Sequence, residues 1–245
     1  MSNEQNQKIK DLYETSIKDK YKNDYEFRRW FLSERLRLDY FMTRTAIMYH
    51  MRDDSFVSCL EFGPGSGIFT PIAYRRNPNA KFDLIDISEE MKNQFALEVR
   101  GRDNVNYIVG DILEHEFNQK YDFFYSVRAI EYVEDKEVLF KNIYSLMNEG
   151  GKGVIVTKNP FYGSAEHGDG TRWQHTGKLG IKDMRNILNA SGFKSVAIYP
   201  VIVRFPVIER FTLKFTEKYF NKIYRNPISE QMSRFIESYI VMFEK

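Results

Sequence analysis

The sequence predicts an α/β fold: a mostly parallel sheet with helices on both faces, a helical N-terminal extension and a helical insert before the last strand. Three observations point there. Glycines crowd directly behind the first β-prone run, at positions 63, 65 and 67. Beyond them strand-like and helix-like stretches alternate, as they do in βαβ units. The first fifty residues and the stretch 205–235 lack that alternation and show helical spacing instead. A hydrophobic share of 42% in 245 residues supports a folded core rather than a disordered chain. No repeat or linker marks a second domain, so one domain is expected over 1–245, in three stretches: a helical one over 1–52, an α/β core over 53–160 and a remainder over 161–245.

The elements follow in order. Ile9, Leu12, Tyr13 and Ile17 recur at helical spacing, and Phe27, Trp30, Phe31, Leu38, Phe41 and Met42 continue it among Arg28, Arg29, Arg35 and Arg37. Residues 56–62 form a short β-prone run that ends in the glycines. Strands are then expected over 81–87, 105–109, 121–127 and 152–157, with helices over 89–100 and 136–147. Gly150 and Gly151 should stop the second of these helices. A polar, glycine-bearing stretch runs to Gly180, and a helix over 181–190 ends at Gly192. Strands over 193–203 and 237–243 bring the number to seven.

Composition excludes several classes. The single cysteine, Cys59, rules out a disulfide framework and a cysteine-based zinc site, and no metal is expected. No apolar run approaches the ~18 residues of a membrane span. The first twenty residues lack the apolar stretch of a secretory leader. A soluble cytoplasmic protein is therefore expected. The formal charge of +2 removes the global reason to expect a nucleic-acid partner.

The strongest local signal is Glu61-Phe62-Gly63-Pro64-Gly65-Ser66-Gly67. Glycines at a strand-to-helix turn let the backbone approach a ligand where a Cβ would clash. A nucleoside-triphosphate loop would need a Lys-Ser or Lys-Thr pair, which is missing. A dinucleotide fingerprint would space its glycines G-x-G-x-x-G, whereas here they run G-x-G-x-G. Glu61 before the loop suits a cationic ligand group better than a diphosphate. Asp86, at the end of the next strand, could take the ribose hydroxyls of either a dinucleotide or a nucleoside.

Four pieces in register now carry a family resemblance: the Glu61–Gly67 run, Asp86-Ile87-Ser88 with Met91, Gly110-Asp111-Ile112, and Tyr121-Asp122-Phe123-Phe124-Tyr125-Ser126. Together they resemble the class I S-adenosylmethionine-dependent methyltransferases, from about residue 56 to 160. The resemblance implies a Rossmann-like, seven-stranded sheet and S-adenosyl-L-methionine as cofactor, with S-adenosyl-L-homocysteine as product. Carried over, it implies that Glu61 and the Phe62, Gly63, Gly65 and Gly67 segment hold the methionyl end. Asp86 would take both ribose hydroxyls, Ile87 and Met91 would pack the adenine, and Asp111, between Gly110 and Ile112, would accept its amino group. Ser126, Val127 and Arg128 would line the pocket near the sulfonium. Relatives often carry a histidine after the fourth strand, where this chain has Tyr132, which weakens any histidine base there.

An amine acceptor needs only to be neutral, whereas a hydroxyl usually needs a base within hydrogen-bond reach. The polar stretch after the fifth strand supplies Tyr162, Glu166, His167, Asp169, Arg172 and His175. Tyr162, His167 and His175 are the catalytic candidates. Tyr21, Arg29, Tyr132 and Arg172 are the candidate substrate contacts. Asn159-Pro160-Phe161-Tyr162 resembles the signature of base-methylating enzymes, but it follows the fifth strand rather than the fourth and so reads as a turn. In 205–235 Phe211, Phe215 and Tyr219 step by four among basic residues, which fits a lid, a peripheral membrane contact or a subunit contact. The expected activity is methyl transfer to an oxygen or nitrogen of a small molecule such as a sugar or natural product. Alternatives are an RNA, protein or lipid-associated methyltransferase, a protein that binds the cofactor without chemistry, and a nicotinamide dehydrogenase.

Overall fold

The computed structural model describes residues 7–8, 10–11, 14–15, 25–160, 177–204, 218–220, 222–228, 233 and 235–245. Seven strands form one sheet in the order β3-β2-β1-β4-β5-β7-β6. They are β1 (Ser58–Phe62), β2 (Lys81–Asp86), β3 (Val105–Val109), β4 (Tyr121–Val127), β5 (Met147–Lys158), β6 (Lys194–Val203) and β7 (Ile236–Glu244). β1 pairs in parallel with both β2 and β4, so the order reverses between β1 and β4. β7 alone runs antiparallel, between β5 and β6. In an open α/β sheet the crevice outside such a reversal, at the carboxyl ends of the strands, is where ligands bind.

The helices are α1 (Tyr25–Trp30), α2 (Glu34–His50), α3 (Thr70–Arg76), α4 (Glu89–Asn93), α5 (Lys136–Leu146) and α6 (Ile181–Ala190). Each apolar stripe has a face of the sheet to cover. Leu139, Phe140 and Ile143 of α5 join Ile181, Met184 and Leu188 of α6 in one buried cluster with Phe124, Ile155 and Tyr239. Met42, Ala46 and Ile47 of α2 join Ala73 of α3 in a second, with Phe82, Phe123 and Val154. Alternate residues of β4 and β5 thus feed opposite layers, as the period of a strand requires.

Side-chain caps start three of the helices. Ser33 Oγ accepts from the Leu36 N–H at 3.3 Å, Ser88 Oγ from Met91 at 3.2 Å and Asp135 Oδ1 from Val138 at 2.9 Å.

Two expected boundaries move. The helix over 89–100 ends at Asn93, because the following chain bonds across to the glycine loop (Ala96 N to Ser66 O, 2.8 Å). There Phe95 fills the space a Cβ on Gly67 would need, 2.4 Å away. The glycines at 150 and 151 do not lie beyond a helix but inside β5, where Gly150 N donates to Lys245 O and Lys245 N to Gly151 O. The added residues find partners outside the β5–β7 ladder: Met147 pairs with Tyr121 of β4, and Gly150 and Gly151 bond the Lys245 backbone. In the insert, Ile228 N donates to Ile198 O at 2.8 Å, so this segment covers part of the edge strand β6. Phe211 and Phe215 lie outside the described residues, and Tyr219 is exposed. Among the described residues no helix is long and apolar enough to cross a membrane.

Candidate active site

The carboxyl ends of β1, β2, β3 and β4 open into a cleft of about 830 Å³. Backbone conformation builds its floor. Gly63 and Gly65 sit at φ +67 and +57, in the left-handed region that side chains avoid. A Cβ on Gly63 would stand 2.1 Å from the Ala129 Cβ, so β4's end packs directly on the loop. A Cβ on Gly65 would meet nothing within 4 Å, and this open side belongs to the cleft wall. Tyr107 Oη donates to the Gly65 carbonyl at 2.9 Å and holds the loop down.

Two carboxylates flank the loop. Asp86 lines the cleft; its Oδ2 accepts from the Gly65 N–H at 2.9 Å and its Oδ1 from Ser88 at 3.0 Å. Burial pushes its pKa up to about 6 against the pull of those two N–H groups. Glu61 lies behind the loop, 2% exposed, and is not part of the cleft lining. Its Oε1 accepts from Thr70 Oγ1 at 3.0 Å, while its Oε2 is buried with no hydrogen-bond partner. Burial raises Glu61 to about 8, and the nearby Asp86 charge adds to the shift.

The remaining expected residues divide in the same way. Phe62, Ile87, Met91, Gly110, Asp111, Ile112, Val127, Arg128, Tyr132 and Arg29 all line the cleft. Asp111 Oδ1 accepts from the Leu113 N–H at 2.9 Å, closing the turn after β3. Ser126 is fully buried and instead donates to the Phe62 carbonyl at 2.9 Å, fastening β4 to the end of β1. Gly67 is occupied by Phe95. Tyr21, Tyr162, His167, Arg172 and His175 lie outside the described residues.

Arg128 adopts φ +61, a conformation uncommon for a side-chain-bearing residue. Glu131, fully buried, holds it with a 2.7 Å contact to Nε. The same carboxylate accepts from Thr157 Oγ1 at 3.2 Å and from the Lys158 N–H at 2.8 Å, so it joins the ends of β4 and β5. Sequence reasoning gave Glu131 no role; its neighbours are brought together only by strand pairing. Glu26 was missed as well. Its Oε1 accepts from Ser66 Oγ at 2.6 Å, tying α1 across the glycine loop. Trp30 meets Phe69 edge-on, 5.4 Å between centroids.

This arrangement can hold an adenosine and an amino acid. It offers a carboxylate at the β2 end for ribose hydroxyls, Asp111 and apolar Ile87, Met91 and Ile112 for a base, and an open glycine loop beside the orphaned Glu61 oxygen. A methyltransferase-domain model matches residues 26–198. The chain belongs to the class I S-adenosylmethionine-dependent methyltransferase family. Among curated methyltransferases it is 38% identical over 98 residues to a malonyl-[acyl-carrier protein] O-methyltransferase of Ilyobacter polytropus. That match covers 40% of this chain and only 37% of the relative's length. A phosphoethanolamine N-methyltransferase of Haemonchus contortus, solved with S-adenosyl-L-methionine, superimposes with a TM-score of 0.66 at 16% identity. It covers 97% of this chain and 60% of that one. The N-methyltransferase NodS of Bradyrhizobium japonicum, with S-adenosyl-l-homocysteine, gives 0.59 at 16% identity over 94% and 96% of the two chains. At that identity the two structures establish the shared methyltransferase fold.

Proposed function

We propose that this methyltransferase transfers the methyl group of S-adenosyl-L-methionine to an oxygen or nitrogen atom of a small acceptor entering the cleft beside Arg128 and Tyr132. The observation that carries the reading is the cleft at the β1–β4 reversal. Its adenosine-matching groups, Asp86 and Asp111, line one cleft, and its α1 cap is tied across the glycine loop beside Asp86. When bound, the sulfonium supplies an already activated methyl group. The chain's own contribution is then orientation and exclusion of water. Val127, Ala129, Val133 and Trp30 give the cleft apolar walls for that purpose.

Arg128 adds a cation whose guanidinium is oriented by Glu131. The acceptors named for the Ilyobacter and Haemonchus relatives, a malonyl group and phosphoethanolamine, both carry an anionic group. An acceptor with a carboxylate or phosphate fits Arg128 on the same grounds. A carboxylate or a neutral amine needs no base in the described part of the cleft. A hydroxyl would call on the expected candidates Tyr162, His167 and His175.

The test is calorimetry with S-adenosylhomocysteine, followed by mass analysis of methylated products from carboxylate, phosphate-bearing and uncharged acceptors. Saturable cofactor binding with methylation of an anionic acceptor is expected. Binding with methylation confined to uncharged acceptors would remove the Arg128 part, and failure to bind would remove the whole.

A further inference from the structure

α1 carries two polar atoms that the described protein leaves unmet. Glu26 Oε2 and Trp30 Nε1 are each shut off from solvent without a hydrogen-bond partner. Both residues line the cleft, and Trp30 is 5% exposed. Native structures keep few such atoms, because an unsatisfied buried polar group is costly. The two residues stand four apart and share one face of the helix. One atom can only accept and the other can only donate.

Their neighbours place them at the glycine-loop end of the cleft. The second Glu26 oxygen is held by Ser66 of the loop, and Trp30 rests edge-on against Phe69, which precedes α3. Asp111 and Ile112, which suit the base, belong instead to the β3 end.

We propose that Glu26 and Trp30 read the amino-acid end of the cofactor, Glu26 Oε2 accepting from its ammonium and Trp30 Nε1 donating to its carboxylate. The inference rests on the cofactor reading above and adds the residues that distinguish a zwitterionic ligand from a bare nucleoside. An acceptor and a donor on one helix face match a group that is positive at one end and negative at the other. A plain anion would satisfy Trp30 and leave Glu26 worse off. α1 is therefore fully satisfied only beside a ligand that carries both groups.

The two contributions are separable with a pair of probes. S-adenosylhomocysteine has the amino-acid chain; 5′-methylthioadenosine keeps the adenosine and sulfur without it. Glu26→Gln preserves an oxygen for Ser66 while replacing the unmet acceptor with a donor. Trp30→Phe keeps an aromatic ring against Phe69 and removes the indole N–H together with part of the ring, a packing loss that the 5′-methylthioadenosine arm controls for. Calorimetry on the whole chain should show each variant binding S-adenosylhomocysteine about tenfold or more weakly, the size of one lost charge-assisted hydrogen bond. Affinity for 5′-methylthioadenosine should be unchanged. Equal weakening for both probes would reduce α1 to a structural brace, and full-strength S-adenosylhomocysteine binding in both variants would end the proposal. A wild-type chain that binds neither probe would instead overturn the cofactor reading, and this inference with it.

Discussion

At one end of the sheet's carboxyl edge, around β1 and β2, Glu61 and Asp86 are buried among neutral donors: the Thr70 hydroxyl on one, the Gly65 and Ser88 N–H groups on the other. At the opposite end, where α2 crosses β6 and β7, Asp39 and Glu237 are buried around Arg204, itself 1% exposed. Arg204 pairs with Asp39, approaches Glu237 at 3.0 Å, and Arg35 reaches Glu237 at 3.6 Å from the surface side. Both ends desolvate two acids; the difference is that the second buries its cation between the pair, while at the first the charge of Arg29, a cleft residue, only partly offsets the burial of Asp86. The β6–β7 cluster brings its own cation and can do without a ligand. The β1–β2 pair has Glu61 with an unmet oxygen and lines or backs the cleft, the condition of a site completed from outside. A buried acid is evidence of function where the protein has not already given its oxygens partners.

The largest effect expected from this contrast comes from breaking the self-sufficient end. Arg204→Met strands Asp39 and Glu237 in the core and should cost about 3–5 kcal/mol of folding stability, read from denaturant midpoints. Cofactor affinity of the folded fraction should stay unchanged. A large loss of affinity at full stability would place the cluster in the site and erase the distinction.

Asp86→Asn makes the opposite demand. It keeps the size of the side chain but removes the charge, and calorimetry should show cofactor binding weakened by roughly 10- to 100-fold, as for one or two hydrogen bonds to a charged group. Folding stability should fall little. Unchanged affinity would exclude Asp86 from the ribose contact.

pH acts on both ends in the same direction, and a substitution tells their shares apart. The folded pKa of Glu61, about 8, and of Asp39, about 7, lie above their ordinary values of 4.5 and 3.8, so the native state holds protons that the unfolded chain has released. Their contribution to stability is complete below the ordinary values and is lost as pH rises through about 7 to 8. Unliganded protein should therefore be more stable at pH 5 than at pH 8.5, and Glu61→Gln should flatten the Glu61 part of that slope. Denaturation curves at the two pH values check this. A slope unchanged in Glu61→Gln would mean that Glu61 is ionised in the unliganded protein.

The smallest effect belongs to Ser126→Ala. It removes one buried hydrogen bond to Phe62 and should cost about 0.5–1.5 kcal/mol in stability, with cofactor affinity kept.

How much of this was legible beforehand differs between the same two ends. The Glu61–Gly67 run, Asp86 and Asp111 are local signals, since a glycine spacing or a carboxylate at a strand end means the same thing wherever the strand goes. The structure brings them together: all but Glu61, Gly67 and Ser126 of the expected cofactor residues line one cleft. The Arg204 cluster joins positions 39, 204 and 237, far apart in the chain, and nothing local marks them. Glu131 escaped for the same reason. Its partners Thr157 and Lys158 reach it only because β4 and β5 pair.

By itself the sequence determined the alternating α/β pattern, the glycine loop behind the first strand and the order of acidic residues along the strand ends. Those are properties of period and spacing, which short segments carry intact. Tertiary structure alone decided that the helix after Asp86 stops at Asn93 to seat Phe95 against Gly67, and that Gly150 and Gly151 enter a strand. It also decided which buried acids meet a cation and which are left facing the cleft. Burial and pairing belong to neighbours in space, and only the folded chain assigns them.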